Sequence, residues 1–469
     1  MKPGGSPAAA RAGLGAGRLL SGMVMVGLLS SPVAAQQVVT LEGALEMALT
    51  RNPAVESAEA SAAAASSARW ADWGAFLPTA RANASLVATD FTNVTFLTPE
   101  GSPAIIDPPL TDNSKSSSAS LSFGLGLLNP ERIANVKSGA ARKDAAYLRL
   151  TAAQRAVIRD VKRSYFEALK QRRLLEVAER QLGARRVDLE VTQDRYRIAA
   201  ASRSDLLGAE MDAADAELRV LQAEDGLGAA VRGLQVVMAD PVSIEAGLVT
   251  LVEVERVPDA DLLDVASLVR AAHESNPALA ALLKDESAAS NDLWAARSSY
   301  LPQIDLGFVF GRGLQLGRDQ SLFEFSPANT NTSFQIIGSW NLFQGFERKR
   351  QTAVADERLT RARTDWTAGA LQLDKDVRDL VQEIQRRDKR LEILERNRAL
   401  ADERLELARE QYRLGSIPYF NLQQAIDRTT QAEQSLFTER YDYLIRWADL
   451  EEKVGPALAS GQATAPGAP

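Results

Sequence analysis

The sequence predicts a mainly α-helical chain that also supplies strands to a membrane β-barrel, organised as two tandem repeats. Two runs, 131–240 and 347–454, together contain a single proline and carry apolar residues at alternating three- and four-residue steps, which predicts hairpins of long coiled-coil helices. Motifs recur along the chain at nearly constant offsets. Four segments of about ten residues alternate apolar and polar side chains, a pattern typical of strands with one apolar face.

The run 347–454 shows the helical hairpin most clearly. Its apolar positions include Val377, Ile384 and Leu391, and the same spacing resumes after the turn. Gly415 favours the end of the first helix, and Pro418 favours the start of the second. The first arm would span roughly 100 Å at about 1.5 Å per residue, far more than the core of a compact domain needs.

A whole structural unit is repeated. Residues 193–198 match residues 409–414 at an offset of 216, whereas Asn52-Pro53 matches Asn276-Pro277 at an offset of 224. We therefore divide the chain into repeat 1 at 36–240, a linker at 241–261 and repeat 2 at 262–455. The long helices are predicted at about 131–240 in repeat 1 and at about 346–454 in repeat 2.

The two ends of the chain differ from the repeats. Residues 1–35 carry three basic residues, an apolar run that is too short to span a membrane, and small residues before Gln36, which predicts an export signal peptide. Residues 456–469 are rich in Ala, Gly and Pro and are predicted to be disordered. Removing the three signal charges takes the formal net charge from -7 to -10, so no nucleic-acid partner is expected. The chain has no cysteine, which excludes disulfides and thiolate metal sites.

The alternating segments predict strands at about 80–97 and 118–128 in repeat 1, and at about 302–312 and 332–343 in repeat 2. Half-buried strands of a soluble sandwich would alternate in the same way, but the signal segment and the very long helices favour a membrane barrel. The apolar positions are predicted to face lipid: Leu121, Phe123, Leu125, Ile304, Leu306, Phe308, Phe310, Phe334, Ile336 and Trp340. The polar positions are predicted to line the barrel lumen: Arg81, Asn83, Ser122, Gln303, Asp305, Gln335 and Asn341.

Polar, turn-rich segments join the strands of each repeat, at 98–118 and 312–332, and are predicted to be extracellular loops. Four strands cannot close a barrel, and an open strand edge is not tolerated in lipid, so several chains must share one barrel. Eight, twelve or sixteen strands would satisfy this argument.

No enzyme and no cofactor are predicted. The sequence contains no metal-ligand cluster and no nucleophile with a plausible base, and the only histidine, His273, aligns with Leu49 of repeat 1, which suggests a structural place in the core. Two functions from different classes remain open. One is a passive export conduit, and the other is a periplasmic coiled-coil scaffold or adaptor without a barrel.

The repeated motifs resemble the TolC-like outer membrane efflux proteins, also called outer membrane factors. The resemblance covers nearly all of the mature chain and includes the paired Asn-Pro and Leu-Pro segments, WNLFQG at 340–345 and YRLG at 412–415. It implies a homotrimer with a shared 12-stranded barrel among the lipids of the outer membrane and an α-helical tunnel across the periplasm. The partners that it implies are a periplasmic adaptor protein and an inner-membrane transporter. The exported cargo stays open: small molecules such as drugs or metals, or proteins in type I secretion.

The two hairpin ends are predicted to form the periplasmic gate, because helices of a tapering tunnel converge where they turn. The predicted gate residues are Tyr196, Arg197, Asp205, Tyr412, Arg413, Gly415, Asn421 and Gln424. Ala199 replaces glycine at the first turn, so that turn is expected to differ in shape. Asp205 either forms a ring of acids at the gate, close in sequence to Arg197, Arg203 and Arg413, or only caps its helix.

Overall fold

The computed structural model describes residues 37–240, 249–251, 260, 263–316 and 330–455. The predicted signal peptide at 1–35 and the predicted tail at 456–469 lie outside these ranges, as does most of the predicted linker. Within the described residues, no helix combines the length and the apolar character needed to cross a membrane.

The helices follow the predicted repeat, with a short helix, a helix of 22 residues and a long hairpin in each copy. The first copy contains α1 (Leu41–Arg51), α2 (Pro53–Gly74), α3 (Pro130–Arg197) and α4 (Arg203–Met238). The second contains α5 (Val265–Ser275), α6 (Pro277–Ser298), α7 (Glu347–Arg413) and α8 (Tyr419–Val454). With 68 residues in α3 and 67 in α7, each long arm extends about 100 Å.

The Asn-Pro pairs have a structural cause that is the same in both repeats. The Asn52 side chain accepts a hydrogen bond from the first turn of α2, and Asn276 does the same for α6, while the following proline occupies the first helical position. Each asparagine also donates to a carbonyl near the end of the return helix, from Asn52 to Val237 O (2.8 Å) and from Asn276 to Lys453 O (3.1 Å). The motif therefore starts one helix and fixes it to another.

The strands form two sheets among the described residues. The strands are β1 (Gln37–Val39), β2 (Thr79–Leu97), β3 (Pro103–Leu128), β4 (Val249–Leu251), β5 (Gln303–Leu316) and β6 (Thr330–Ser339). Strands β1 and β4 pair in parallel, while the other four form an antiparallel sheet in the order β2-β3-β5-β6. Both repeats thus contribute to one sheet, joined through the β3–β5 pairing.

Strand β3 begins about 15 residues earlier than the alternation predicts, so most of the predicted loop 98–118 is strand, and only a short turn at 98–102 separates it from β2. The extension is a pairing effect, because β2 supplies ladder partners as far as Leu97. Residues 108 and 109 are prolines and therefore lack backbone N–H groups. They lie where the β2–β3 register shifts, between the pairs Asn93–Leu110 and Thr95–Ile105, so the ladder requires no hydrogen bond from them. At the other end of the sheet, β6 stops four residues before the predicted limit of 343.

The main core lies where the hairpin arms pack together, and it includes the fully buried Tyr165, Val377, Ile384 and Tyr443. His273 is not in this core. Leu268 and Ala272 form the buried face of α5, so His273, which follows Ala272, lies at the helix surface. The Nε2 atom of His273 is 2.5 Å from Asp374 Oδ1.

Candidate functional site at the strand faces and hairpin ends

The register of the antiparallel sheet collects the predicted apolar positions on one face. Phe308 lies opposite Phe123 on one side and Phe334 on the other, and the rings of Phe123 and Phe308 are 6.2 Å apart. Leu306 lies opposite both Leu125 and Ile336. The shared face contains Leu121, Phe123, Leu125, Ile304, Leu306, Phe308, Phe310, Phe334 and Ile336.

The polar positions collect on the opposite face. Arg81 lies opposite Ser122, and Asp305 lies opposite Gly126. Gln335 lies opposite Gly307, and its side chain covers that glycine closely enough to leave little room for a methyl group there. Asn83 and Gln303 lie on this face too. Trp340 and Asn341 were predicted within a strand but follow its end at Ser339, and the Trp340 indole donates to Tyr300 O (3.0 Å).

The two hairpin ends have the same backbone turn, contrary to the expectation from Ala199. The N–H of Ala200 donates to Arg195 O (2.7 Å), and the N–H of Ser416 donates to Gln411 O (2.8 Å). Ala199 has φ 57° and Gly415 has φ 74°, so both occupy the left-handed region. This is a Schellman turn in both copies, and its hydrogen bonds hold Ala199 in a conformation that alanine disfavours.

Asp205 is the third residue of α4 and forms a capping box with Ser202. Its backbone N–H donates to Ser202 Oγ (3.1 Å), and its carboxylate Oδ2 accepts from Ser202 N (3.0 Å) and Ser202 Oγ (2.8 Å). The neighbouring arginines pair elsewhere among the described residues, Arg197 with Asp194 and Arg413 with Glu410 (2.6 Å). Within one chain, Asp205 therefore acts as a helix cap.

Tyr412 connects the two hairpin ends. It is buried, and the guanidinium of Arg195 lies 4.7 Å from its ring centroid and donates to its carbonyl oxygen (3.3 Å). Tyr419 packs against Tyr412 with ring centroids 5.8 Å apart. The other predicted gate residues, Tyr196, Arg197, Gly415, Asn421 and Gln424, are exposed in the chain.

A cluster of charged side chains joins three helices deeper in the hairpins. Arg185 of α3 is almost completely buried and contacts Asp212 of α4 (3.4 Å) and Asp427 of α8 (2.6 Å). Asp212 also accepts hydrogen bonds from Tyr419 Oη (3.3 Å) and Gln423 Nε2 (2.8 Å). The cluster thus ties the first hairpin to the second.

Burial dominates the electrostatics of this cluster. It raises the pKa of the Asp212 carboxyl above its ordinary value, against the opposing effect of Arg185. Burial also raises the pKa of Asp188, and its Oδ2 is buried without a hydrogen-bond partner among the residues that the structure describes. The pKa of Tyr419 is raised by burial and by Asp212, so its hydroxyl stays protonated and can donate.

The sequence reasoning missed this cluster, although a signal was present. Asp212 lies at heptad spacing between the apolar residues Ala209 and Ala216, whereas the residues at heptad spacing from Arg185, Gln181 and Thr192, are polar and gave no such signal. A charge at such a position needs a partner from another helix.

These features define a duplicated helical-hairpin protein whose arms continue into a small antiparallel sheet with one apolar face, which is the architecture of outer membrane efflux channels. The chain belongs to the outer membrane efflux protein family, whose model matches residues 44–239 and 268–455. It is a protein of the outer membrane that extends into the periplasm.

Solved structures share this fold. The outer-membrane channel OprN is 18% identical, with a TM-score of 0.74 over 88% of this chain and 89% of that one. The outer membrane protein VceC from Vibrio cholerae is 17% identical, with a TM-score of 0.74 over 88% and 96%. The CmeC outer membrane channel from Campylobacter jejuni is 14% identical, with a TM-score of 0.75 over 88% and 85%. No curated protein sequence matches the chain significantly.

Proposed function

We propose that three copies of the chain form an outer membrane channel with a 12-stranded barrel and a helical tunnel across the periplasm. The channel passively conducts small molecules, such as drugs or metals, that an inner-membrane pump expels with the help of an adaptor protein. Family membership supports this conduit over a periplasmic scaffold.

The observation that carries the proposal is the sheet with two free edges. Among the described strands, β2 pairs only with β3, and β6 pairs only with β5. A sheet with one apolar face and open edges is not stable in lipid, since unpaired N–H and C=O groups would be buried there. The four strands alternate in direction, so β6 of one chain can pair antiparallel with β2 of the next. These free edges support the proposal that identical chains close the barrel.

The second support is the continuity of strand and helix. Only Asn129 separates β3 from α3, and its side chain accepts a hydrogen bond from Arg132 N (3.2 Å) at the start of that helix. The walls of barrel and tunnel are therefore covalently continuous, as a conduit requires.

Light scattering and single-channel recording test the proposal. Protein extracted from outer membranes in detergent should have three times the mass of one chain, with the detergent subtracted, and should open channels in planar bilayers. A monomeric mass, or recovery only in the soluble periplasmic fraction, would contradict it. Transport of a fluorescent drug in cells with a matching pump and adaptor distinguishes small-molecule efflux from protein secretion.

We further propose that the hairpin ends form the gate, with Asp205 of each subunit contributing one charge. Asp205→Asn removes this charge, yet the amide oxygen can still accept the capping hydrogen bond, so cation selectivity from the periplasmic side should fall without loss of the trimer. Ser202→Ala is the matched control, because it removes the cap and keeps the charge. Unchanged selectivity in Asp205→Asn would leave Asp205 a cap only.

A further inference from the structure

Arg312 is a cation on the apolar face of the antiparallel sheet. Along β5 this face contains Ile304, Leu306, Phe308 and Phe310, and because side chains alternate along a strand, Arg312 is the next residue outward on the same face. It is partly exposed in the chain. A cation on the lipid face of a barrel is strongly unfavourable at the midplane of the membrane and nearly neutral at the interface. The height of Arg312 in the sheet therefore decides what surrounds it.

Arg312 lies at the end of the sheet that is remote from the helices. Gln303 pairs with Ser339 where the strands meet the helical part, whereas Arg312 pairs with Thr330 at the other end. The stretch of β5 between these two levels is roughly 30 Å long, at about 3.3 Å per residue. A strand tilt of about 40° reduces this length to a height of about 23 Å, close to the roughly 25 Å of the apolar band in outer membrane barrels. In the proposed barrel, Arg312 is thus at the outer boundary of the apolar band.

The inner boundary of the band has a different chemistry. Trp340 follows the end of β6, is 60% exposed, and donates its indole N–H to Tyr300 O. An aromatic side chain with one polar end is typical of the membrane–water interface. The apolar face therefore ends in an aromatic residue at the periplasmic side and in a cation at the outer side.

The neighbours of Arg312 change from aromatic to hydroxyl-bearing at its own level. Towards the middle of the sheet, Phe310 and Phe334 are exposed by 44% and 67%. On β6, Thr330 lies opposite Arg312 and Thr332 lies opposite Phe310, and both threonines are exposed. A guanidinium presents five N–H donors in a rigid fork, and a threonine hydroxyl can add a further donor. This donor set fits the oxygens of a phosphate group.

We propose that Arg312, Thr330 and Thr332 bind a phosphate group on a lipid of the outer leaflet, while the acyl chains of the same lipid lie along the apolar face below. This site rests on the barrel proposed above, and it goes beyond general contact with lipid because it names the headgroup and the residues that bind it. A trimer would present three such sites around its barrel.

Inorganic phosphate is the competing occupant, because it would use the same donors. A free anion gains nothing from apolar neighbours, whereas Phe310 and Phe334 lie exposed directly below the donors and match acyl chains. The combination of phosphate donors above and exposed aromatic side chains below favours a lipid.

Native mass spectrometry of the detergent-extracted protein tests the site. The probes are diphosphoryl lipid A and the same glycolipid after enzymatic removal of its phosphates. The wild-type protein should retain diphosphoryl lipid A, and Arg312→Gln should retain roughly tenfold less at the same lipid concentration, because charge-assisted hydrogen bonds are lost. Equal retention of diphosphoryl lipid A by the two proteins, or equal retention of the two probes by the wild-type protein, would overturn the proposal.

Moving the cation within the sheet separates the effect of its position from that of net charge. In the Arg312→Gln background, Thr330→Arg returns a cation to the same face on the adjacent strand and should restore the retention of diphosphoryl lipid A. Asn331→Arg places the same cation one residue along β6, on the opposite face across from Gly311, and should not restore it. Restoration by both variants would show that net charge alone retains the lipid and would refute the site.

Two further measurements separate this site from its alternatives. Excess inorganic phosphate should leave diphosphoryl lipid A bound, and its displacement by phosphate would reassign the donors to a free anion. A trimeric, conducting wild-type protein whose lipid retention is unchanged by Arg312→Gln would refute the lipid site and retain the channel. A monomeric wild-type protein without conductance would refute the proposed function, and this site with it.

Discussion

Replacing Phe308 by arginine should impair assembly, whereas placing the same arginine at Gln335 should not. The two positions lie on adjacent strands, but Phe308 shares its face with Phe123 and Phe334, and Gln335 extends over Gly307 on the other face. An arginine at either position introduces the same charge and similar volume. A difference in assembly between the two arginine variants therefore reports the surroundings of the two faces of the sheet.

The magnitude follows from the position of Phe308 in the sixth place of the 14-residue strand β5, well inside the sheet. A cation on the lipid face near the bilayer midplane costs about 2–4 kcal/mol, whereas a lumen position stays hydrated. This cost corresponds to roughly a thirty- to thousand-fold shift in the assembly equilibrium. Phe308→Arg should thus be nearly devoid of trimer at expression levels where Gln335→Arg retains it.

The assay is the yield of SDS-resistant oligomer from isolated outer membranes, normalised to total protein by immunoblotting. Phe308→Leu serves as the apolar control, because it removes the aromatic ring without adding a charge, and it should retain assembly. Equal assembly of the two arginine variants, or a selective loss in Gln335→Arg, would show that the faces are assigned wrongly.

Four further substitutions probe the hairpins, and circular dichroism follows the thermal unfolding of each variant. Ala199→Gly should stabilise the protein and Gly415→Ala should destabilise it, each by about 1 kcal/mol, because the backbone is in the left-handed region at both positions. Effects of the opposite sign would refute this account of the turn. Arg185→Met should cost about 3 kcal/mol by leaving the largely buried Asp212 carboxylate without its cation, and a change below about 1 kcal/mol would mean that water reaches the cluster. Asp188→Asn should stabilise the protein at pH 7, because a raised pKa in the folded state means that the ionised carboxylate opposes folding there. The gain in stability should vanish once the pH falls below the ordinary carboxyl pKa. A gain that persists at low pH would show that the ionisation of Asp188 is not its cause.

Much of the helical structure could be predicted from the sequence because its causes are local. Heptad spacing marks the arms of α7 and α8, and Gly415 and Pro418 mark the turn between them. The asparagines before Pro53 and Pro277 cap the helices that those prolines start. Each of these signals acts within about one helical turn, so no knowledge of distant contacts is needed.

The separation of apolar and polar side chains onto opposite faces of the strands could also be predicted, because alternation is a property of one strand at a time, whereas the contact of the apolar face with lipid stays a prediction. The length of β3 could not, since its first part is held by pairing with β2 and its prolines fall at an irregularity of that ladder. The shape of the Ala199 turn was also missed. The backbone hydrogen bonds of the turn outweigh the preference of alanine for a negative φ.

The sequence by itself thus determined the repeat, the helical hairpins and the two-faced strands, all of which follow from periodicities along the chain. Only the tertiary structure decided that Arg185 joins Asp212 to Asp427, which lies 242 positions further along the chain than Arg185. The tertiary structure also decided that Trp70 is 77% exposed while Trp294, its equivalent in repeat 2, is 44% exposed. The physical reason is that burial and ion pairing depend on which helices and strands become neighbours, and two identical local patterns acquire different surroundings once one lies inside the chain and the other at its edge.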